Sequence, residues 1–231
     1  MNPAVAARWI DIAPGYAGYL ALPPAGRGPG LVLFEEIFGV NAHIRAVAEQ
    51  YALDGFVVLA PDLLWRNTPR QEFGYETAER DRARSIAQAY APADAVADIG
   101  AAVLLLRART EVLARVGAIG YCMGGRMAWL AAATAGVDAA VPFYGGGIQA
   151  QLERAADIRC PLQFHYAGHD EHIPPEAVQK VREAVAGMQA QVHVYADAQH
   201  GFNCWARSSY HPASAALAHG RALGFLAEHL F

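Results

Sequence analysis

Cys122 stands in the string Gly120-Tyr121-Cys122-Met123-Gly124-Gly125, between the apolar run Val116–Tyr121 and a segment of helical length, Met123–Ala135. Glycines two residues before and two after a nucleophile mark a sharp strand-to-helix turn, here with cysteine where serine is usual. Such a turn forces the nucleophile into a strained backbone conformation, and glycine removes the Cβ atoms that would collide across it. The sulfur would then sit at the carboxyl end of a strand and above a helix N-terminus. The unpaired N–H groups and positive partial charge there favour a thiolate and the oxyanion formed after attack on a carbonyl. In folds that use this turn an acid and then a histidine follow in chain order. Asp170, in Gly168-His169-Asp170-Glu171-His172, comes just after the apolar run Leu162–Ala167. His200, in Gln199-His200-Gly201-Phe202, comes after Gln191–Tyr195. His200 would take the thiol proton and return it to the leaving group; Asp170 would fix the imidazole tautomer and stabilise the imidazolium.

Competing assignments remain open at this point. Glu171 is an alternative acid. His169 and His172 flank Asp170 at i, i+3 and would bind a metal only with further ligands, yet no other Cys/His cluster is near in sequence. His165 and His193 lie within strand patterns and read as structural. A phosphate-binding loop is a weaker reading of the glycines, because neither the phosphate-loop nor the dinucleotide-binding signature is present.

These residues need a scaffold that brings strand ends together. Short apolar runs alternate with helix-length segments, the pattern of a mostly parallel sheet with helices on both faces, an α/β fold. The expected strands are Leu31–Glu35, Phe56–Pro61, Val116–Tyr121, Ala139–Tyr144, Leu162–Ala167 and Gln191–Tyr195. The expected helices are Asn41–Leu53 with Asn41 as N-cap, Thr77–Tyr90, Ala93–Arg109 after Pro92, Met123–Ala135, Pro175–Ala186 and Ala213–Leu230. Gly55, Gly136 and Gly187 follow three of these helices at the position where glycine ends them. Leu63–Tyr75 has little periodicity and is expected to form a loop over one end of the sheet. Residues 1–231 carry no internal repeat and no linker-like stretch, so a single domain is expected.

Composition narrows the partners. Hydrophobic residues make up 54% and charged residues 17%, a globular balance, with a net charge of −4. No basic stripe suggests nucleic acid. The N-terminus lacks a signal-length apolar core, and every apolar stretch is interrupted before spanning length, so no membrane association is expected. Three cysteines (Cys122, Cys160, Cys204), odd in number and at no metal or redox spacing, suggest reduced thiols in a cytoplasmic protein.

Five strings in order resemble the dienelactone hydrolase family: Glu35-Glu36-Ile37-Phe38-Gly39-Val40-Asn41, Pro61-Asp62-Leu63, Gly120-Tyr121-Cys122-Met123-Gly124-Gly125, Gly168-His169-Asp170 and His200-Gly201-Phe202. The resemblance runs from about residue 10 to the C-terminus. It implies an α/β-hydrolase fold and cleavage of a small-molecule ester or lactone with no metal or organic cofactor, by a monomer or small homo-oligomer. It implies Cys122 as nucleophile, Asp170 as acid and His200 as base. Glu36 matches a glutamate that contacts the resting thiol and helps to activate it; a salt-bridged loop residue is the alternative reading. The N–H groups of Ile37 and Met123 match the oxyanion hole, where one donor is worth on the order of 3 kcal/mol. Arg82 and Arg207 match two arginines that hold a substrate carboxylate. The chain departs from the pattern in the longer His200–Arg207 loop and in Ile86 and Ala89, which replace pocket aromatics, so dienelactone itself is less expected than another small acidic lactone, which fits the family and the two candidate arginines. Two other functions stay in view: a carboxylesterase or thioesterase acting on neutral acyl groups, and a non-catalytic reactive-thiol sensor or binding protein.

Overall fold

The computed structural model describes residues 5–231. The described residues form an eight-stranded sheet flanked by six helices. The strands are β1 (Ala6–Ala13), β2 (Tyr16–Leu22), β3 (Gly28–Phe34), β4 (Val57–Pro61), β5 (Val112–Tyr121), β6 (Ala140–Phe143), β7 (Leu162–His169) and β8 (Ala190–Gln199), in the spatial order β1-β2-β4-β3-β5-β6-β7-β8. The first three in that order pair antiparallel, and the rest of the sheet is parallel. Strands β3, β4 and β6 are buried along their whole length, which is why they read as unbroken apolar runs rather than as an alternation.

The sequence reading missed β1 and β2. Arg8 and Asp11 interrupt β1, which is a half-exposed sheet edge, and neither strand belongs to a β–α–β alternation. The turn between them, Pro14-Gly15 with Gly15 at φ +79°, was the available signal.

The helices are α1 (Ala42–Leu53), α2 (Thr77–Ala89), α3 (Pro92–Arg107), α4 (Met123–Thr134), α5 (Pro175–Ala184) and α6 (Pro212–Leu230). Asn41 caps α1 through its side chain, which accepts the Ile44 N–H at 3.2 Å. Two glycines of β5 show how the helices are distributed. A Cβ on Gly117 would run into Leu230 of α6, whereas one on Gly120 would overlap the Gly124 carbonyl in α4. Three residues apart on a strand, these positions face opposite sides, so α4 and α6 cover opposite faces. The 62–76 segment is a loop, as expected, held down by buried Leu63, Leu64 and Phe73 and by Trp65 stacked on Tyr16 at 5.4 Å. Among the described residues no single helix is long and apolar enough to cross a membrane.

Candidate active site

Cys122 links β5 to α4 at φ 56°, a left-handed conformation that a non-glycine residue adopts only under constraint. The constraint is packing. A Cβ on Gly124 would overlap the carbonyl oxygen of Phe34, so α4 starts with its backbone pressed against the end of β3. The Cys122 N–H donates to Phe143 O at 3.0 Å and fixes the turn to the end of β6. The side chain is left half-buried on the wall of a cavity.

Sheet register delivers the other two groups. After an irregularity near Gly168, His169 of β7 pairs with Gln199 of β8, so the residues that follow, Asp170 and His200, leave the sheet side by side. Asp170 Oδ1 accepts the N–H groups of His172 (2.9 Å) and Ile173 (3.1 Å). This turns Oδ2 onto His200 Nδ1 at 2.8 Å, with both side chains buried. His200 Nε2 lies 3.1 Å from Cys122 Sγ. The Tyr144 ring packs edge-on against the imidazole at 5.1 Å and limits its rotation. Burial alone would lower the His200 pKa, but the neighbouring Cys122 sulfur and the Asp170 carboxylate outweigh it and push it up to about 10. Glu171, the other acid considered, is 84% exposed and points toward His172 rather than His200.

Glu36 follows β3 as Cys122 follows β5, and those strands pair Phe34 with Gly120. Its carboxylate is buried and pairs with Arg207 Nη1 at 3.1 Å; among the described residues it makes no hydrogen bond to the Cys122 sulfur. Burial raises the Glu36 pKa, while the Arg207 and His200 charges oppose that shift. Arg207 crosses the seven residues from His200 because Gly201, at φ +80°, leaves room: a Cβ there would overlap the guanidinium. Arg207 also lies over the Phe38 ring at 5.6 Å. Ile37 and Met123 line the cavity beside Cys122, and neither N–H donates to another group among the described residues.

That cavity, about 470 Å³, is lined on its apolar side by Ile37, Ala87, Ala95, Met127 and Leu130. Arg82 is not among its lining residues; it is exposed and sits over the Phe73 ring at 5.7 Å. Arg84 and Arg126 are lining residues that the sequence reading did not assign, together with His172, whose ring meets His200 edge-on at 5.0 Å. The available signal for Arg126 was its position four residues after Cys122, one helical turn on. Arg207 and Arg80 line a separate, more polar cavity of about 250 Å³ on the other side of His200. His165 is structural: it is buried in β7 between Tyr195 (2.8 Å) and Gln163 (2.9 Å).

Strand order, the turn at Cys122 and the loops that converge on it define an α/β-hydrolase. The sequence matches the dienelactone hydrolase family over residues 16–230. A carboxymethylenebutenolidase of Pseudomonas putida is 34% identical over 214 residues, 92% of this chain and 91% of that protein. A putative carboxymethylenebutenolidase of Escherichia coli is 33% identical over 211 residues, 85% of this chain and 76% of that one. The crystal structure of a putative dienelactone hydrolase from Klebsiella pneumoniae superposes with a TM-score of 0.84 at 29% identity, over 97% of this chain and 99% of that one. The chain belongs to the dienelactone hydrolase family and is a hydrolase of ester or lactone bonds.

Proposed function

We propose that the protein hydrolyses a small carboxylic ester or lactone through Cys122, His200 and Asp170, by way of a covalent acyl-enzyme. The observation that carries this reading is the pair of contacts at His200: Nε2 to Cys122 Sγ at 3.1 Å and Nδ1 to Asp170 Oδ2 at 2.8 Å. His200 takes the thiol proton, and the thiolate attacks the carbonyl carbon. The resulting oxyanion is received by the N–H groups of Ile37 and Met123. As the tetrahedral intermediate collapses, the carbon–oxygen bond of the ester breaks and the His200 imidazolium protonates the departing alkoxide. In a lactone that alkoxide stays tethered as a hydroxyl group. His200 then deprotonates a water molecule, which attacks the thioester, and the carboxylic acid leaves as the Cys122 sulfur is released.

Glu36, held by Arg207, is an auxiliary carboxylate close enough to His200 for the imidazolium charge to favour its ionised form, against the burial that opposes it. The test compares wild type with Cys122→Ala on p-nitrophenyl butyrate and on a γ-lactone, with mass spectrometry of the quenched enzyme. The expected result is loss of turnover, and an acyl adduct on the Cys122 peptide of wild type only. Hydrolysis by Cys122→Ala at the wild-type rate would overturn the mechanism.

A further inference from the structure

The cavity beside Cys122 has a neighbour across α2. This second cavity, about 420 Å³, is apolar where buried Leu63 and Leu64 and the α2 residues Ile86 and Ala89 line it, and polar where exposed Arg66 and Ser85 do. The last two turns of α2 divide the two spaces by face. Arg84, Ala87 and Gln88 line the cavity of Cys122, whereas Ser85, Ile86 and Ala89 line the second one. At 3.6 residues per turn these two sets fall on opposite sides of the helix. Ala83 is the one buried residue of α2, so the helix is a thin partition and not a packed layer. Tyr90, which ends it, lines both cavities.

Tyr90 is tied down at its hydroxyl, which donates to Asp98 Oδ2 at 2.8 Å. The same oxygen accepts the Trp65 Nε1–H at 3.3 Å and an N–H of the Arg66 guanidinium. Asp98 is buried on α3, and its backbone carbonyl accepts the Tyr16 hydroxyl of β2 at 3.2 Å. The ring that borders both cavities is therefore anchored to the body of the molecule, although the helix that carries it is packed only lightly. Charge-assisted bonds of this kind are about twice as strong as neutral ones, so the tether holds the ring in one place.

We infer that Tyr90, tethered by Asp98, closes the catalytic cavity against the second one and so limits the length of acyl chain that the enzyme accepts. The inference rests on Cys122 as the reacting end, and adds the residue that sets how far the chain can extend from it. In the proposed steps the leaving-group oxygen must face His200, so the acyl chain is the part of the substrate that runs away along the cavity. A chain longer than that cavity holds meets the Tyr90 ring. With the ring removed, the chain continues into the second cavity over Leu63, Leu64 and Ile86, and each further methylene gains by leaving water.

Two measurements test it. The first is the ratio of kcat/KM for p-nitrophenyl octanoate to that for p-nitrophenyl butyrate, in wild type, Tyr90→Phe, Tyr90→Ala and Tyr90→Ala/Ile86→Trp. Tyr90→Ala is expected to raise the ratio at least about tenfold, and Tyr90→Phe, which keeps the ring but frees it from Asp98, about threefold. Asp98 keeps its Trp65 and Arg66 donors in Tyr90→Phe, so that variant carries the test even if Tyr90→Ala fails to fold. Adding Ile86→Trp, which fills the second cavity, is expected to bring the ratio back to within about twofold of wild type. A ratio unchanged by the Tyr90 variants, or a rise that persists with Ile86→Trp, would overturn the assignment. The second is calorimetric binding of octanamide to Cys122→Ala, Cys122→Ala/Tyr90→Phe and Cys122→Ala/Tyr90→Ala, which reads the cavity without turnover. Binding about three- to tenfold tighter in the Tyr90 variants supports the partition, and equal binding refutes it, whatever becomes of the proposed mechanism.

Discussion

Asp170→Asn is the most informative single change, because it keeps the shape of the acid and removes its charge. In the wild type Oδ1 is committed to the N–H groups of His172 and Ile173, and Oδ2 faces His200 Nδ1 at 2.8 Å. The asparagine oxygen would keep the two backbone donors, so its NH₂ would face Nδ1. Loss of a buried charge-assisted hydrogen bond costs about 1.5–3 kcal/mol, or about ten- to hundredfold in rate. The amide also requires Nδ1 to accept, which places the proton on Nε2, where the thiol proton has to go. In the serine-protease triad the analogous tautomer error lowers kcat by about 10⁴. The expected fall in kcat/KM here is therefore between about 10² and 10⁴.

A second signature is the pH profile. His200 is pushed up to about 10 in part by Asp170, so without that charge its pKa falls. The imidazolium is the acid in the proposed step, so activity on a substrate with a poor leaving group is lost as pH rises through the His200 pKa. Ethyl butyrate, followed by pH-stat, reports this step because ethoxide must be protonated; p-nitrophenyl butyrate does not, since its phenolate departs unaided. Asp170→Asn should move the alkaline limb for ethyl butyrate to lower pH and impair that ester more than the nitrophenyl one. An unmoved limb with kcat/KM within about threefold of wild type would refute the argument.

Two further outcomes concern stability. Glu35 is fully buried beside Asp62; burial first, then the Asp62 charge, raise its pKa well above 4.5. A raised carboxyl contributes stability below its unfolded pKa that is lost as pH rises through the folded one. Glu35→Gln keeps an acceptor for the Leu63 N–H and should stabilise the fold by about 1–3 kcal/mol at neutral pH, with little effect below pH 4.5, as read by urea unfolding at both pH values. Equal differences at both would count against the reading. Gly124→Ala places a methyl group into the Phe34 carbonyl and should destabilise by more than about 3 kcal/mol, visible as a lower urea midpoint. An unchanged midpoint would show that α4 can shift away from β3.

The central parallel strands and the helices were legible in sequence because burial on both faces makes the strands continuous and capping residues such as Asn41 punctuate the helices. Strand ends were less so: β8 runs to Gln199 through residues that read as a loop, because its pairing with β7 extends the strand past the apolar run. That extension matters, since the His169–Gln199 pair is what sets Asp170 beside His200. At the site, Cys122, Asp170 and His200 stood out through motif and chain order, and they meet within hydrogen-bonding distance. The arginines were not legible in the same way. Whether a long side chain on α2 faces a cavity depends on helix rotation, and two positions separate the exposed Arg82 from the cavity-lining Arg84.

The electrostatics of the site depend on a single small residue. Glu36 and Cys122 stand at the ends of adjacent strands, so in the proposed mechanism a carboxylate and a thiolate occupy one buried region and would each disfavour the other's charge. Each instead faces its own cation: Arg207 meets Glu36 at 3.1 Å, and His200 meets the sulfur at 3.1 Å. Both cations come from the loop after β8, and Gly201 lies next to one and beneath the other. Its left-handed φ lets the chain turn just after His200, and its missing Cβ is the space through which the Arg207 guanidinium passes. Any side chain at 201 would strain the turn beside the imidazole and push the guanidinium off Glu36 together. The alternation of charge that permits a thiolate beside a buried carboxylate is thus set by the backbone of one loop, and not by the two ion pairs independently.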